Sequence, residues 1–167
     1  MKGFIFPVED DFVSKIELGD VISISGYIYA GRDAVLPKIV KLYEENRLQE
    51  YGIDLKGSVI FHTAVSPAGV GPTSSNKLEI ESSFPKLSEA GVRLHLGKGA
   101  ISNATVQSLD MNNSAFAIIP PVTALLEDHT VERELVAFPE LGMEALWRLK
   151  VKDYQAIIAA AHGKSIY

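Results

Sequence analysis

Three short segments of this chain carry residue types that hold small anions: Gly31-Arg32-Asp33, Gly71-Pro72-Thr73-Ser74 and Gly97-Lys98-Gly99. Glycine has no Cβ, so its backbone can come close to a ligand. A helix start adds free N–H groups at the positive end of the peptide dipoles. One cation accompanies each segment (Arg32, Lys77 and Lys98), and the set suits a small polyanion. Taken singly, each segment has a plainer reading, since loop cations are mostly solvated and Gly-Lys-Gly is often only a turn. The histidines are read the same way. His62 lies in an apolar run and His95 in an alternating one, while His129 and His162 adjoin polar turn residues. No pair has the i, i+4 spacing of a helical metal site, so structural roles and no metal site are expected. Trp147, with Met143 and Leu146 close by, reads as core. Gly69-Val70-Gly71 is not a dinucleotide fingerprint, because Pro72 and the hydroxyl residues after it replace the third glycine.

The elements that must position these residues follow from periodicity. Residues 21–29 alternate apolar and small, then turn β-branched and aromatic, the pattern of a strand. Leu36, Ile39, Val40 and Tyr43 recur at i, i+3, i+4 and i+7, one face of a helix reaching about Glu50. Asp33 is its expected N-cap, with Pro37 in the first turn; a start slipped to Leu36 is the alternative. Residues 57–63 form a short strand, apolar at its centre and expected to be buried on both faces. Residues 66–72 read as a loop, residues 73–79 carry helix-start hydroxyls, and Phe84-Pro85 breaks or restarts that helix. Residues 92–96, 115–119 and 135–138 read as further strands, and residues 122–128 as weakly helical. Residues 147–152 read as a strand with one wet face. All three anion-holding segments therefore fall at strand ends. Strands interleaved with helices predict an α/β fold, a mixed sheet covered by helices.

Composition limits the function. The 167 residues are 47% apolar, enough for one sizeable core, and no repeat or linker divides them. One domain over residues 1–167 is expected. Twenty-one acidic against 16 basic residues give a net charge of -5, which argues against a nucleic-acid footprint. With no cysteine, the chain cannot form disulfides, ligate zinc through sulfur, or hold an iron–sulfur cluster alone. The longest aliphatic run, residues 156–161, is far short of the ~20 residues of a membrane span. Glu9, Asp10 and Asp11 cut off any signal-peptide core. A cytoplasmic protein with no membrane partner is expected.

Together with their neighbours, the segments resemble the β subunit, or C-terminal domain, of the iron–sulfur class I fumarate hydratase and L(+)-tartrate dehydratase family. The resemblance runs from about Gly19-Asp20-Val21 to the C-terminus. Gly26 with Gly31-Arg32-Asp33-Ala34 is similar to the family's strand, glycine and Arg-Asp-Ala opening. Gly71-Pro72-Thr73-Ser74-Ser75-Asn76-Lys77-Leu78-Glu79 resembles its Gly-Pro-Thr-Thr-x-x-Arg-Met-Asp segment. Gly97-Lys98-Gly99 matches its Gly-Lys-Gly, and Leu141-Gly142-Met143-Glu144-Ala145-Leu146-Trp147 its Leu-Gly-Met-Glu-Ala-x-Trp stretch. Four motifs occur in the family's order.

The resemblance implies a swivelling β/β/α domain and a hydro-lyase that adds or removes water on a dicarboxylate, fumarate/malate first and tartrate second. It implies a 4Fe-4S cluster held by cysteines of a separate α subunit, where it acts as Lewis acid on the departing hydroxyl. The α subunit is then the expected partner, with β–β self-association besides. Arg32, Lys77 and Lys98 would hold substrate carboxylates, and Gly71, Thr73 and Ser74 would offer backbone and hydroxyl donors. Thr73 and Lys98 would be catalytic, Thr73 helping to remove the C3 proton. An alcohol is too weak an acid to serve as base unaided, so its activating partner is expected from the α subunit. A degenerate, non-catalytic homologue that binds a carboxylate or a protein is the alternative. Two departures bear on this choice: Leu36 stands at a family histidine, and Lys77 at a family arginine. A lysine offers one mobile ammonium in place of a planar fork. If Lys77 is a ligand, Lys77→Arg in the assembled complex should tighten dicarboxylate binding by about 1 kcal/mol. Calorimetry on the parent, Lys77→Arg and Lys77→Ala forms checks this, and equal binding by all three removes Lys77 from the site.

Overall fold

The elements run β1 (Lys2–Phe6), β2 (Val21–Ala30), α1 (Leu36–Glu44), β3 (Val59–Phe61), β4 (Thr63–Ser66), β5 (Gly69–Thr73), α2 (Lys77–Glu89), β6 (Leu94–Gly97), α3 (Asn103–Met111), β7 (Ala115–Ile118), β8 (Thr130–Ala137), β9 (Leu146–Ala161) and β10 (Lys164–Ser165). The structure, a computed structural model, describes residues 1–66, 69–73, 77–119 and 129–167. Strands β2, β3, β6 and β7 run parallel in that order. β9 is antiparallel to both β7 and β2 and joins them, so five strands close into a mixed, barrel-like sheet. β8 pairs beside β9, and β1 runs parallel to β2. β4 and β5 form a separate antiparallel hairpin. The fold is thus mixed α/β, as expected. No helix among the described residues is long and apolar enough to cross a membrane.

Alternation sorts the barrel strands into an inside and an outside. Ile22, Ile24, Ile28, Phe61, Leu94, Leu96, Tyr154 and Ile158 fill one buried cluster with Phe6 and Phe12. Their sequence neighbours point outward, where Ile60 packs with Leu36, Ile39 and Leu42 of α1 and Leu87 of α2. Phe116 packs with Phe84 of α2 and with Val106 and Leu109 of α3. Strands buried on both faces lose polar alternation, which is why β3 reads as an unbroken apolar run. Each fully buried Ile, Leu or Phe contributes roughly 1.5–3 kcal/mol.

Several boundaries differ from the sequence reading. α1 starts at Leu36, the alternative start, with Val35 rather than Asp33 as N-cap and Pro37 in its first turn. It stops at Glu44 rather than Glu50, because Asn46 turns left-handed at φ 57° and the Arg47 N–H returns to the Leu42 carbonyl. A short 3-10 turn, Leu48–Tyr51, follows. Residues 66–72 were expected as loop and instead lie largely in the β4–β5 hairpin. α2 continues through Pro85; Phe84 and Leu87 on either side are fully buried, so packing outweighs the lost hydrogen bond. α3, with Ser102 capping the Thr105 N–H, had no counterpart in the reading. The strand expected over residues 147–152 extends to Ala161. The helix expected at 122–128 lies outside the described residues.

β9 bends where it passes β2. Ile24 pairs with Tyr154 and Gly26 with Val151, which leaves an extra residue on β9. Asp153 is left-handed there (φ 54°). Its N–H donates to Ser25 Oγ at 3.0 Å, and its carboxylate accepts from Ser23 Oγ at 3.2 Å. The bulge lets one strand bend enough to serve both β2 and β7. Opposite the bulge, Gly26 has φ +99°, and a Cβ there would lie 2.4 Å from the Phe6 carbonyl of β1. Gly26→Ala should therefore cost about 2–4 kcal/mol, combining left-handed strain with overpacking. Urea unfolding is expected to show a lower midpoint with an unchanged slope.

Candidate functional site

Three parallel neighbours deliver the segments singled out by sequence. β2 ends at Ala30, β3 at Phe61 and β6 at Gly97, all at one edge of the sheet, with Ala30 paired to Phe61 and Phe61 to Leu96. Two inter-strand spacings separate the backbones of Ala30 and Leu96, about 10 Å. Arg32 lies two residues beyond Ala30, and Lys98 two beyond Leu96. Between them, β3 runs into the hairpin, where Thr63 pairs with Thr73 of β5. Gly71 and Thr73 lie on β5 of that hairpin. Lys77 is the first residue of α2. Ser74 lies outside the described residues.

The turn holding Arg32 is tightly determined. The Gly31 N–H donates to the Phe61 carbonyl at 3.0 Å, and the Arg32 carbonyl accepts from the Val35 and Leu36 N–H groups. A Cβ on Gly31 would lie 2.7 Å from Val35 Cγ1, so an alanine there would have to displace the buried Val35 side chain. The Arg32 guanidinium is half-buried. Its Nε donates to Glu144 Oε1 at 2.6 Å, and its Nη2 contacts the same oxygen. Asp33 Oδ1 is 3.9 Å from Nε. Glu144 ends a 3-10 turn, Pro139–Glu144, kinked at Gly142 (φ 59°, ψ -121°). Trp147 Nε1 donates back to the Gly142 carbonyl at 3.3 Å, and Ala145 and Leu146 anchor the segment in the core. Trp147, read as core, is part-buried against the barrel cluster.

Lys98 is exposed and lines a groove of about 440 Å³ together with Gly99, Val21, Gln155, Ile157, Ile118 and Ile119. The groove is apolar but for the Lys98 and Gln155 side chains. Gly97, at the strand end, has Phe116 so close that an added Cβ would meet its ring at 3.2 Å.

Behind the strand ends lies a polar chain that the sequence did not single out. His62 Nε2 lies 3.2 Å from His95 Nδ1, and His95 Nε2 lies 2.9 Å from Ser88 Oγ on α2. Both rings are fully buried, and Phe84 stacks on His95 at 4.2 Å. Burial pushes His62 down to about 3. Burial, then the neighbouring His62 and Arg93, push His95 well below the usual imidazole range. Both histidines, read as structural, are thus enclosed and bonded to one another and to Ser88. His62 Nδ1 has no hydrogen-bond partner among the described residues.

The family described as Fumarase C-terminus matches residues 7–167. The chain belongs to this family. Its relatives include the L(+)-tartrate dehydratase subunit beta of Escherichia coli K12, 30% identical over 96% of this chain and 83% of that protein. A Methanocaldococcus jannaschii protein, provisionally named L(+)-tartrate dehydratase subunit beta, is 29% identical over 93% of this chain and 85% of its own length. A Geobacillus stearothermophilus protein, provisionally named class I fumarate hydratase, is 27% identical over 96% of this chain, which covers 32% of that protein. The iron–sulfur cluster implied for the family finds no fit in this member. A cluster needs thiolates, the chain has none, and His62 and His95 bond to each other. No group of three metal-ligating side chains occurs among the described residues.

The histidine pair sets a pH dependence of stability. In the unfolded chain both rings titrate near 6.5, whereas in the fold His62 stays neutral to about 3. Below pH 6.5 the unfolded state therefore binds more protons, and stability falls as pH drops toward 3. The loss is up to about 1.4 kcal/mol per pH unit for each histidine. Urea unfolding at pH 7 and pH 5 should show it, and the double variant His62→Leu/His95→Met should flatten the difference. An equal pH response in parent and variant would remove the pair as its source.

Proposed function

We propose that this chain is the β subunit of a hydro-lyase that reversibly adds or removes water on a dicarboxylate, fumarate/malate or tartrate. The observation that carries the reading is the arrangement of three adjacent parallel strands. Each brings one of the family's motif segments to the carboxyl ends of the parallel strands, the place where ligands of α/β sheets and barrels gather. In this reading Arg32 and Lys98, which follow the ends of β2 and β6, hold the two ends of a small dicarboxylate. Gly71, Thr73 and Ser74 supply donors between them, and Lys77 adds charge from the start of α2. Residues 1–167 act as one swivelling domain that closes on an α subunit. The cluster belongs to that partner, and the chain also self-associates, β subunit to β subunit.

The chemistry asked of these residues is electrostatic. Removing a proton beside a carboxylate builds negative charge on that carboxylate. Fixed cations stabilise this charge most strongly where closure excludes water. Arg32 is held in place before any ligand arrives, so little reorganisation is needed. Lys98 stands open at the rim of its groove, ready to be covered. Thr73 then holds or passes the C3 proton, with its activating base on the α subunit.

A second reading, a non-catalytic carboxylate-binding or protein-interaction homologue, is favoured by Leu36. At a position where the family carries histidine, this side chain is fully buried in the apolar cluster under α1. One experiment separates the two readings. The chain is mixed anaerobically with a reconstituted iron–sulfur α subunit, and fumarate, malate and tartrate are followed by absorbance. Turnover is expected only in the mixture, with Arg32→Ala and Lys98→Ala each lowering kcat/KM by roughly 10²–10³. Dicarboxylate binding without turnover would select the second reading, and turnover by the chain alone would overturn the first.

A further inference from the structure

The Leu-Gly-Met-Glu-Ala-Leu-Trp stretch has no role in the reading above, yet it supplies the closest partner of Arg32. The reason lies in barrel closure. On β2 and β9, Tyr29 pairs with Arg148 and Ala30 with Trp147. Continued past the strand ends, this antiparallel register brings Arg32 opposite Ala145, next to Glu144. Among the described residues the contact is made on one edge of the guanidinium only. Nε and Nη2 both meet Glu144 Oε1. The second edge, formed by Nη1 and the other Nη2 hydrogen, stays available for an in-plane, two-pronged bond to another carboxylate. Glu144 itself has little freedom, because the Gly142 kink precedes it and buried Ala145 follows it.

We propose that Glu144 is a positioning residue: it holds the side edge of Arg32 so that the end edge faces the substrate carboxylate. This deepens the reading of Arg32 as a carboxylate ligand and rests on it. The arrangement favours a planar carboxylate arriving in the guanidinium plane. A rounder anion, such as sulfate, gains less from the fixed orientation.

The test uses the assembled αβ complex, with fumarate and L(+)-tartrate as probes, in calorimetry and steady-state kinetics. Glu144→Ala should raise Kd and KM about tenfold while kcat changes by less than about threefold. Glu144→Gln keeps an oxygen of the same reach and should recover most of the loss. In an Arg32→Lys background, where no side edge exists, Glu144→Ala should add nothing further. A merely structural role would predict the same added loss in both backgrounds, and that result would overturn the proposal. Tighter binding by Glu144→Ala or Glu144→Gln would also overturn it, since Glu144 would then be a competing anion. If Arg32→Ala leaves Kd unchanged, the underlying ligand reading fails. If Arg32→Ala weakens binding and the Glu144 variants do not, only the positioning role fails. Calorimetry reads all of these outcomes even where the complex does not turn over, and circular dichroism on each variant reports that it has folded.

Discussion

The antiparallel pairing of β9 with β2 is the constraint on which the rest of this structure depends. β9 has two edges, and both are used. β2 takes one from Trp147 to Ile157, while β8 and then β7 occupy the other. Without β9 the four parallel strands would form an open sheet with two unsatisfied edges, and the cluster around Phe61 and Tyr154 would be exposed from one side. The bulge at Asp153 makes the double duty possible, and Ser23 and Ser25 hold the bulge. The same pairing brings residues 112 positions apart in sequence, Arg32 and Glu144, into contact. Closing the barrel and preparing the candidate site are one event.

Polar groups inside the outer layer follow a different logic. Ser88, His95 and His62 link α2 to the ends of β6 and β3 by hydrogen bonds, in a place where apolar residues would pack as well. Arg93 continues the theme, donating to the Ser88 and Gly91 carbonyls where α2 hands over to β6. Directional bonds fix the position of a helix along the sheet more tightly than apolar contact does, since a Leu–Leu contact tolerates sliding and an N···O distance does not. α2 begins at Lys77, directly after the hairpin segment, and the strands it grips end at the segments with Thr63 and Lys98. Its seating therefore bears on the spacing of those segments.

What the sequence revealed and what it hid have identifiable causes. β2 and β3 were legible because Ile22, Ile24 and Ile28 alternate and residues 59–61 form a short apolar run. The helical face of α1 was legible through Leu36 and Ile39, although Leu42 rather than Tyr43 completes it. β9 was half legible. Residues 147–152 alternate with one wet face, but the rest is alanine-rich and carries the bulge, so period two fades. The β4–β5 hairpin was hidden by Gly69, Gly71 and Pro72, residues of low strand propensity. α3 had a readable signal in Ser102 followed by Thr105, but only Val106 and Leu109 mark its apolar side. The cations of the candidate site were recognised through their motifs, as was the segment containing Glu144. That Glu144 meets Arg32 was not legible, because nothing local specifies a contact made by barrel closure.

The stagger of the barrel has a bearing on how this chain can change. Passing from Ala30 across Phe61, Leu96 and Ala117 to Ile158, the register returns to β2 beside Val21, near its beginning. One turn of the sheet thus consumes nearly the whole of β2, and both the groove at Lys98 and the turn at Arg32 are tied to opposite ends of the same strand. A single-residue insertion within β2 would need a bulge of its own, as on β9, to be absorbed locally. Without one it would turn inward side chains outward beyond the insertion and move Arg32 along the strand relative to Lys98. Length variation among descendants of this chain should therefore collect in the connections that lie outside this circuit, and the circuit itself should drift by substitution alone.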